Sequence, residues 1–153
     1  MIGRALFSDG AGCMAARVPR LIHLLTLAQH RLLRSSDTAL VQSLGISTTQ
    51  LGVLFVIEAS AGMLLRDVSK ALGINKSATT TLVDRMEAAG LVERRPSRED
   101  GRAIYVLATR EGRAKTIAAR PILASLNMRL TEGYDQREIK TIARFLQSIL
   151  ERF

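Results

Sequence analysis

The sequence of 153 residues contains one cysteine, Cys13, and no tryptophan. A single cysteine excludes a disulfide within the chain, so a reducing cytoplasm is the expected compartment. The longest apolar run, Leu51 to Ile57, is far shorter than the roughly 20 residues that a membrane-spanning helix needs. We therefore expect a single ordinary domain that does not have a membrane as its partner.

Motifs that would indicate an enzyme are also missing. The sequence has no G-x-S-x-G nucleophile turn, no Walker phosphate loop and no H-E-x-x-H zinc motif. The two histidines, His23 and His30, lie about 10.5 Å apart along one predicted helix, which is too far to bind one metal ion alone. The sequence thus predicts no catalytic residues, no metal and no cofactor.

Positive charge is what the sequence has in excess. Lys and Arg number 22 against 14 Asp and Glu, a net charge of +8, which favours a polyanionic partner such as nucleic acid or an anionic membrane surface. Half of this charge falls between residues 94 and 115, where there are seven basic and three acidic residues. The basic ones are Arg94, Arg95, Arg98, Arg102, Arg110, Arg113 and Lys115.

Helical patterns occupy both ends of the chain. After a loose arm over residues 1–16, apolar residues recur every three or four positions from Val18 to Leu32. Asp135 begins a D-x-x-E start signal, and an apolar stripe then continues to Phe153. Two apolar stripes of this length each need a partner surface.

Shorter elements lie between these ends. Ser47 and Gln50 form a capping box for one helix, Leu65–Leu72 form a second helix that Gly73 ends, and a third runs from Lys76 to about Ala89 before Gly90. Residues 91–95 and 103–108 predict two strands with a charged loop between them, and Thr109 caps a helix that Pro121 should kink or split. The order predicts a mainly α fold with a small β-hairpin wing, that is, an α+β winged helix-turn-helix.

The third of these helices carries the candidate reading surface. Its apolar stripe is predicted to be Ala78, Leu82, Met86 and Ala89. The opposite side then presents short polar side chains that suit the edges of bases in a DNA major groove. They are Asn75, Lys76, Ser77, Thr79, Thr80 and Thr81. The alternative is that these residues only solvate a helix face, although consecutive threonines are poor helix formers.

The hairpin supplies the candidate electrostatic contact. Arginine on a thin loop can enter a narrow minor groove, where the potential is most negative, while its neighbours neutralise phosphates. Asp100 lies two residues before Arg102 and can hold that guanidinium extended. The candidate wing residues are Arg94, Arg95, Arg98, Asp100 and Arg102. A solvated charged turn is the alternative.

The stretch from Leu82 to Arg94, followed by R-E-D-G-R at residues 98–102 and A-T-R-E-G at 108–112, resembles the MarR family of winged-helix regulators. The aspartate-x-arginine pair of the wing is the most specific element, and Ala108 stands where the family more often has Leu. The resemblance covers about residues 18–153. It implies a winged helix-turn-helix over residues 47–109 that reads DNA, with base or phosphate contacts from Asn75, Lys76, Ser77 and Thr80. Arg94 would support the wing root and Arg102 would enter the minor groove.

The resemblance also implies a homodimer that binds a pseudo-palindromic operator on double-stranded DNA, usually as a repressor that a small phenolic or lipophilic effector releases. The terminal regions, 17–46 and 110–153, would form the helical dimerisation region. Its interface residues would be Val18, Leu21, Leu25, Ile142, Leu146, Ile149 and Leu150. A winged-helix module for nonspecific DNA or protein interaction is the alternative. For Cys13, an ordinary thiol is favoured over a peroxide sensor.

Overall fold

A computed structural model describes residues 18–96 and 103–153, and for Val18 and Pro19 it describes only the backbone. Six helices and three short strands follow one another in this part of the chain. They are α1 (Val18–Leu44), α2 (Thr48–Ala59), β1 (Met63–Leu64), α3 (Leu65–Leu72), α4 (Lys76–Ala88), β2 (Val92–Pro96), β3 (Ile104–Ala108), α5 (Arg110–Thr131) and α6 (Gln136–Arg152). The predicted fold class, mainly helical with a small antiparallel sheet, is confirmed.

The chain divides into two compact units, one up to Ser35 and one from Ser36 to Phe153. The described part of the first unit is the N-terminal portion of α1. None of residues 20–35 in this portion is buried. Large apolar side chains at least two-fifths exposed make up much of its surface, namely Leu21, Ile22, Leu24, Leu27, Leu32 and Leu33.

The core of the second unit forms around α2. Four apolar residues of this helix are buried, and the last part of α1 adds Leu40, which is completely buried. The predicted capping box is confirmed, because Ser47 Oγ accepts from Gln50 N at 3.2 Å and Gln50 Oε1 accepts from Ser47 N at 2.8 Å. Asp37 Oδ1 accepts from Thr48 N at 2.7 Å, so α1 also satisfies a free donor at the start of α2.

The sheet has three strands in the order β1-β3-β2, all antiparallel. Strands β2 and β3 form the predicted hairpin, with a register from Val92 opposite Ala108 to Pro96 opposite Ile104. Strand β1, which pairs with the other edge of β3, was not predicted. A strand of two residues is too short to show a period in the sequence.

Pro121 does not split α5, which is one continuous helix from Arg110 to Thr131. Of the two predicted outcomes, a kink or a split, the split is therefore excluded. A proline in a helix removes one hydrogen bond, to the carbonyl four residues earlier. Here that residue is Ile117, which is 62% exposed, so water can reach this side of the helix.

The C-terminal helix α6 begins as predicted. Asp135 Oδ1 accepts from Arg137 N at 2.7 Å and from Glu138 N at 2.9 Å, and Glu138 Oε2 accepts from Asp135 N at 2.8 Å. No residue of α6 is buried. Its large exposed apolar residues are Ile142, Phe145, Leu146 and Leu150, followed by Phe153 just after the helix.

Within residues 18–96 and 103–153, no single helix is long and apolar enough to cross a membrane. Only the bent pair formed by residues Arg20–Leu44 and Thr48–Ala59 meets the requirement of length and composition, and only when both helices are counted together.

Candidate nucleic-acid interface

Helices α3 and α4 are joined by a tight turn at Gly73. This residue has φ +63°, a left-handed conformation that favours glycine, so the predicted end of α3 is confirmed. The Gly73 and Ile74 amides donate to the carbonyls of Lys70 and Ser69, each at 3.2 Å. Asn75 then caps α4 by accepting from Ala78 N at 2.7 Å. The short connection fixes the direction in which α4 leaves α3.

The buried stripe of α4 is Thr79, Val83 and Met86, each completely buried. The predicted stripe was wrong at Ala78 and Ala89, which are exposed. The prediction that Thr79 lies on the outward face is also wrong. Its hydroxyl donates to the Asn75 carbonyl at 3.0 Å, which satisfies the polar group inside the fold and leaves the methyl group to pack with apolar neighbours. Thr79 therefore cannot meet a ligand on the surface.

The other predicted residues of α4 and its cap lie at the surface. Lys76, Ser77 and Thr81 are exposed, and Thr80 is partly buried. Thr80 Oγ1 donates to the Lys76 carbonyl at 2.9 Å, so its hydroxyl can still accept a hydrogen bond from a ligand but has no proton to offer. Ser77 and Thr81 are four residues apart and therefore share one face of the helix.

The wing is described up to Pro96 and again from Ala103. The predicted wing residues Arg98, Asp100 and Arg102 lie outside the described residues, as does Cys13. Arg95 is described: it is exposed, and its Nη2 lies 2.6 Å from Glu93 Oε1 on the same strand. Strand β2 therefore carries one outward cation paired with an exposed carboxylate.

Arg94 turns in the other direction, toward α4. Its Nη2 lies 2.6 Å from Asp84 Oδ1 and its Nη1 lies 2.9 Å from Glu87 Oε2. The Arg94 backbone amide also donates to Glu87 Oε1 at 3.1 Å, and Nη2 approaches the Thr80 carbonyl at 3.4 Å. The guanidinium thus joins the root of the wing to α4. It does not point outward, so Arg94 is removed from the set of side chains that could reach a ligand.

No role was predicted for Asp84 or Glu87. They stand ten and seven residues before Arg94, and no local rule relates residues at these separations when a helix end and a turn lie between them. The reversal of the chain at Gly90, which has φ +70°, brings them together. Within the described ranges, no group of three or more His, Cys, Asp or Glu could hold a metal ion.

The geometry is that of a winged helix-turn-helix, and a protein-family model described as MarR family matches residues 44–103. The multiple antibiotic resistance protein MarR of Escherichia coli is 29% identical over 132 residues, which is 86% of this chain and 89% of that protein. The predicted resemblance to the MarR family is therefore confirmed, and the family model covers the winged helix-turn-helix. The comparisons support the prediction of a DNA-binding transcriptional regulator and not of an enzyme.

Solved structures of transcriptional regulators have the same fold. A mutant MarR from Escherichia coli in complex with operator DNA superposes with a TM-score of 0.81 at 25% identity, covering 91% of this chain and 99% of that one. The regulator BldR of Sulfolobus solfataricus superposes with a TM-score of 0.84 at 20% identity, covering 93% of this chain and all of that one. The second likeness shows the fold alone.

Proposed function

We propose that this protein is a sequence-specific regulator that binds double-stranded operator DNA through α4 and the wing. The observation that carries the proposal is the exposed pair Ser77 and Thr81, which stands opposite the buried stripe of α4, with exposed Lys76 at the start of the same helix. A helix with one packed side and one side of short polar groups fits a major groove, because short side chains bring the helix close to the base edges.

The contacts divide into two kinds. On the helix, Ser77, Thr80 and Thr81 are placed to meet base edges, and Lys76 to meet a phosphate. Asn75 uses its side-chain oxygen as a cap but keeps its amide donors. On the wing, Arg95, Arg98 and Arg102 would supply the cationic contacts, with Asp100 orienting Arg102. The mutant MarR of Escherichia coli was solved with operator DNA, which supports the same use of this fold here.

A homodimer is the second part of the proposal. The N-terminal part of α1 and the whole of α6 expose apolar side chains in the single chain, and such surfaces mark interfaces. Leu21, Ile142, Leu146 and Leu150 are exposed, and Leu25 and Ile149 are partly buried. These residues, with Val18, would form the interface between regions 17–46 and 110–153 of two copies. A two-fold dimer places its recognition helices about 34–36 Å apart, which requires a pseudo-palindromic operator.

We further propose that the protein acts in the cytoplasm as a repressor that a small phenolic or lipophilic effector releases from DNA. The support for this is the family resemblance. It is tested by adding hydroxybenzoates, as phenolic probes, to the complex of protein and operator and measuring the fraction of DNA that remains bound. If no probe changes this fraction at millimolar concentration, phenolic release is contradicted.

The decisive experiment is selection of bound duplexes from a random pool. We expect one pseudo-palindromic sequence to be enriched and to bind at least 1,000-fold more tightly than random duplex at physiological salt. A winged-helix module with nonspecific affinity would instead bind every duplex alike, with a steep salt dependence and no enriched sequence. That outcome would overturn the proposed function.

A further inference from the structure

Two carboxylates stand on the helix that is proposed to enter DNA. Asp84 lies seven residues after Ser77 and three after Thr81, and is therefore on the same exposed face. Its side chain is 54% exposed, and that of Glu87 is 40% exposed. Acidic groups on such a surface repel the phosphates of DNA. By charge alone, each would weaken binding.

Both carboxylates, however, contact the same guanidinium. Arg94 has only 21% of its side chain exposed, and its two Nη atoms are divided between Asp84 and Glu87. Glu87 contacts Arg94 twice, because its second oxygen accepts from the Arg94 backbone amide. The first part of β2 is thus attached to α4 through both its main chain and its side chain. The same contacts hold the two carboxylates of α4 at fixed distances from the guanidinium of Arg94.

We propose that Asp84 and Glu87 are positioning residues for DNA recognition. By holding Arg94 from two sides, they fix the root of the wing against α4. The distance between α4 in the major groove and the wing in the minor groove is then constant. This inference rests on the proposed function. It assigns to the two acids a favourable effect on selective binding, opposite in sign to the effect of their charge.

The two effects make opposite predictions for the isosteric amides. If charge alone matters, Asp84→Asn and Glu87→Gln bind the operator and random duplex more tightly by the same factor. If the acids position the wing, both variants lose selectivity. We expect the ratio of operator affinity to random-duplex affinity to fall about two- to fivefold in each variant, as loss of a partly exposed charged contact predicts.

Asp67→Asn is the matched control. Asp67 is a partly exposed acid of α3. Among the ion pairs of the described residues, its carboxylate pairs with Arg66 and Lys70, both of α3. Its removal changes the net charge by the same amount and does not touch the wing. We expect its selectivity ratio to equal that of the wild type. An unchanged ratio in Asp84→Asn and Glu87→Gln, as in this control, would overturn the inference.

Arg94 variants separate positioning from phosphate contact. A phosphate contact that is lost lowers the magnitude of the slope of log affinity against log salt by about 1, whereas loss of a positioning residue leaves the slope unchanged. We expect Arg94→Ala to lower the selectivity ratio without changing this slope. Arg94→Lys should restore little of the wild-type selectivity ratio, because one ammonium group cannot reproduce the separate contacts of the two Nη atoms with Asp84 and Glu87. A changed slope would assign Arg94 to DNA instead.

One measurement is independent of DNA. The Arg94 amide, which donates to Glu87, should exchange its hydrogen faster in Glu87→Gln than in Asp67→Asn. If the wild-type protein selects no sequence from a random pool, the proposed function fails whatever the exchange shows. If it selects a sequence but the amide variants keep the wild-type ratio, only the positioning role fails.

Discussion

The Thr109 hydroxyl donates to the Gly90 carbonyl at 2.6 Å, which joins the end of the wing to the residue that ends α4. The same oxygen accepts from Gly112 N at 3.0 Å and thereby caps α5. The Thr109 amide donates to the Leu91 carbonyl at 3.1 Å. One side chain and its own backbone therefore close the base of the hairpin and start the next helix.

Thr109→Ala should destabilise the fold by about 1–2 kcal/mol, because it removes both a helix cap and a hydrogen bond to Gly90. For a domain of this size the loss lowers the melting temperature by several degrees, as circular dichroism would measure. Thr109→Ser keeps the hydroxyl and should stay within about 0.5 kcal/mol of the wild type. Equal losses in the two variants would show that the hydroxyl does not stabilise this junction.

Gly112→Ala should cost about 3 kcal/mol, because an added Cβ would lie 2.2 Å from the Leu91 carbonyl oxygen and 2.9 Å from Leu54 Cδ2. The backbone of α5 or of the wing must move to admit it. Gly52→Ala is the control, since its Cβ would meet only Leu72 Cδ2, at 3.6 Å, and alanine favours the helix by about 0.5–1 kcal/mol. Urea unfolding of both variants tests the difference in sign. A Gly112→Ala variant as stable as the wild type would contradict the close approach.

Thr79→Val and Thr81→Val should have different effects on operator binding. Thr79 is buried, and the Asn75 carbonyl that accepts from its hydroxyl also accepts from its backbone amide at 3.0 Å, so the substitution leaves no unpaired group. We expect operator affinity to be unchanged in Thr79→Val and to fall by about 1 kcal/mol in Thr81→Val. Fluorescence anisotropy with labelled operator measures both. The reverse order would contradict the assignment of the two faces of α4.

Leu146→Asp should disrupt the proposed dimer, because it places a charge in the exposed apolar stripe of α6. Light scattering after size exclusion should give about twice the chain mass of 16.7 kDa for the wild type and about the chain mass for the variant. Gln147→Asp introduces the same group one residue along the helix, away from the stripe, and should remain dimeric. A wild-type protein that is monomeric at micromolar concentration would refute the interface.

Arg102→Ala should weaken operator binding by at least about 1 kcal/mol and lower the magnitude of the salt slope by about 1, if Arg102 contacts the minor groove. Dimerisation should be unaffected. Arg137→Ala, which removes an exposed arginine from α6, serves as the charge control. An identical salt slope in both variants would exclude the wing tip from the interface.

Much of the fold could be predicted because its signals are local. The capping boxes at Ser47 and Asp135 and the glycine after α3 act within a few residues, and the structure contains all three. Strand β1 could not be predicted, because it exists only through pairing with β3 some 40 residues later. Leu40 lies in the region 17–46 that was expected to form the dimer interface, yet it is buried in the core around α2.

The candidate site was predicted less completely, for a different reason. A hydrophobicity pattern places threonine outside, but Thr79 satisfies its hydroxyl on the carbonyl four residues earlier and packs inside. The predicted buried stripe of α4 therefore began one residue too early, at Ala78 instead of Thr79. Composition counted Arg94 with the cationic wing, because it does not show where a guanidinium points. The family resemblance instead implied that Arg94 supports the wing root, and its contacts with Asp84 and Glu87 agree with that role.

The division of α4 between its buried stripe and its exposed face has a consequence for how relatives diverge. The side chains that hold the helix in place, Thr79, Val83 and Met86, are different from those available to touch an operator. Exchanges at positions 77 and 81 can thus accumulate at little cost in folding free energy. If α4 reads DNA as proposed, surface substitutions alone can change the recognised sequence while the scaffold stays the same.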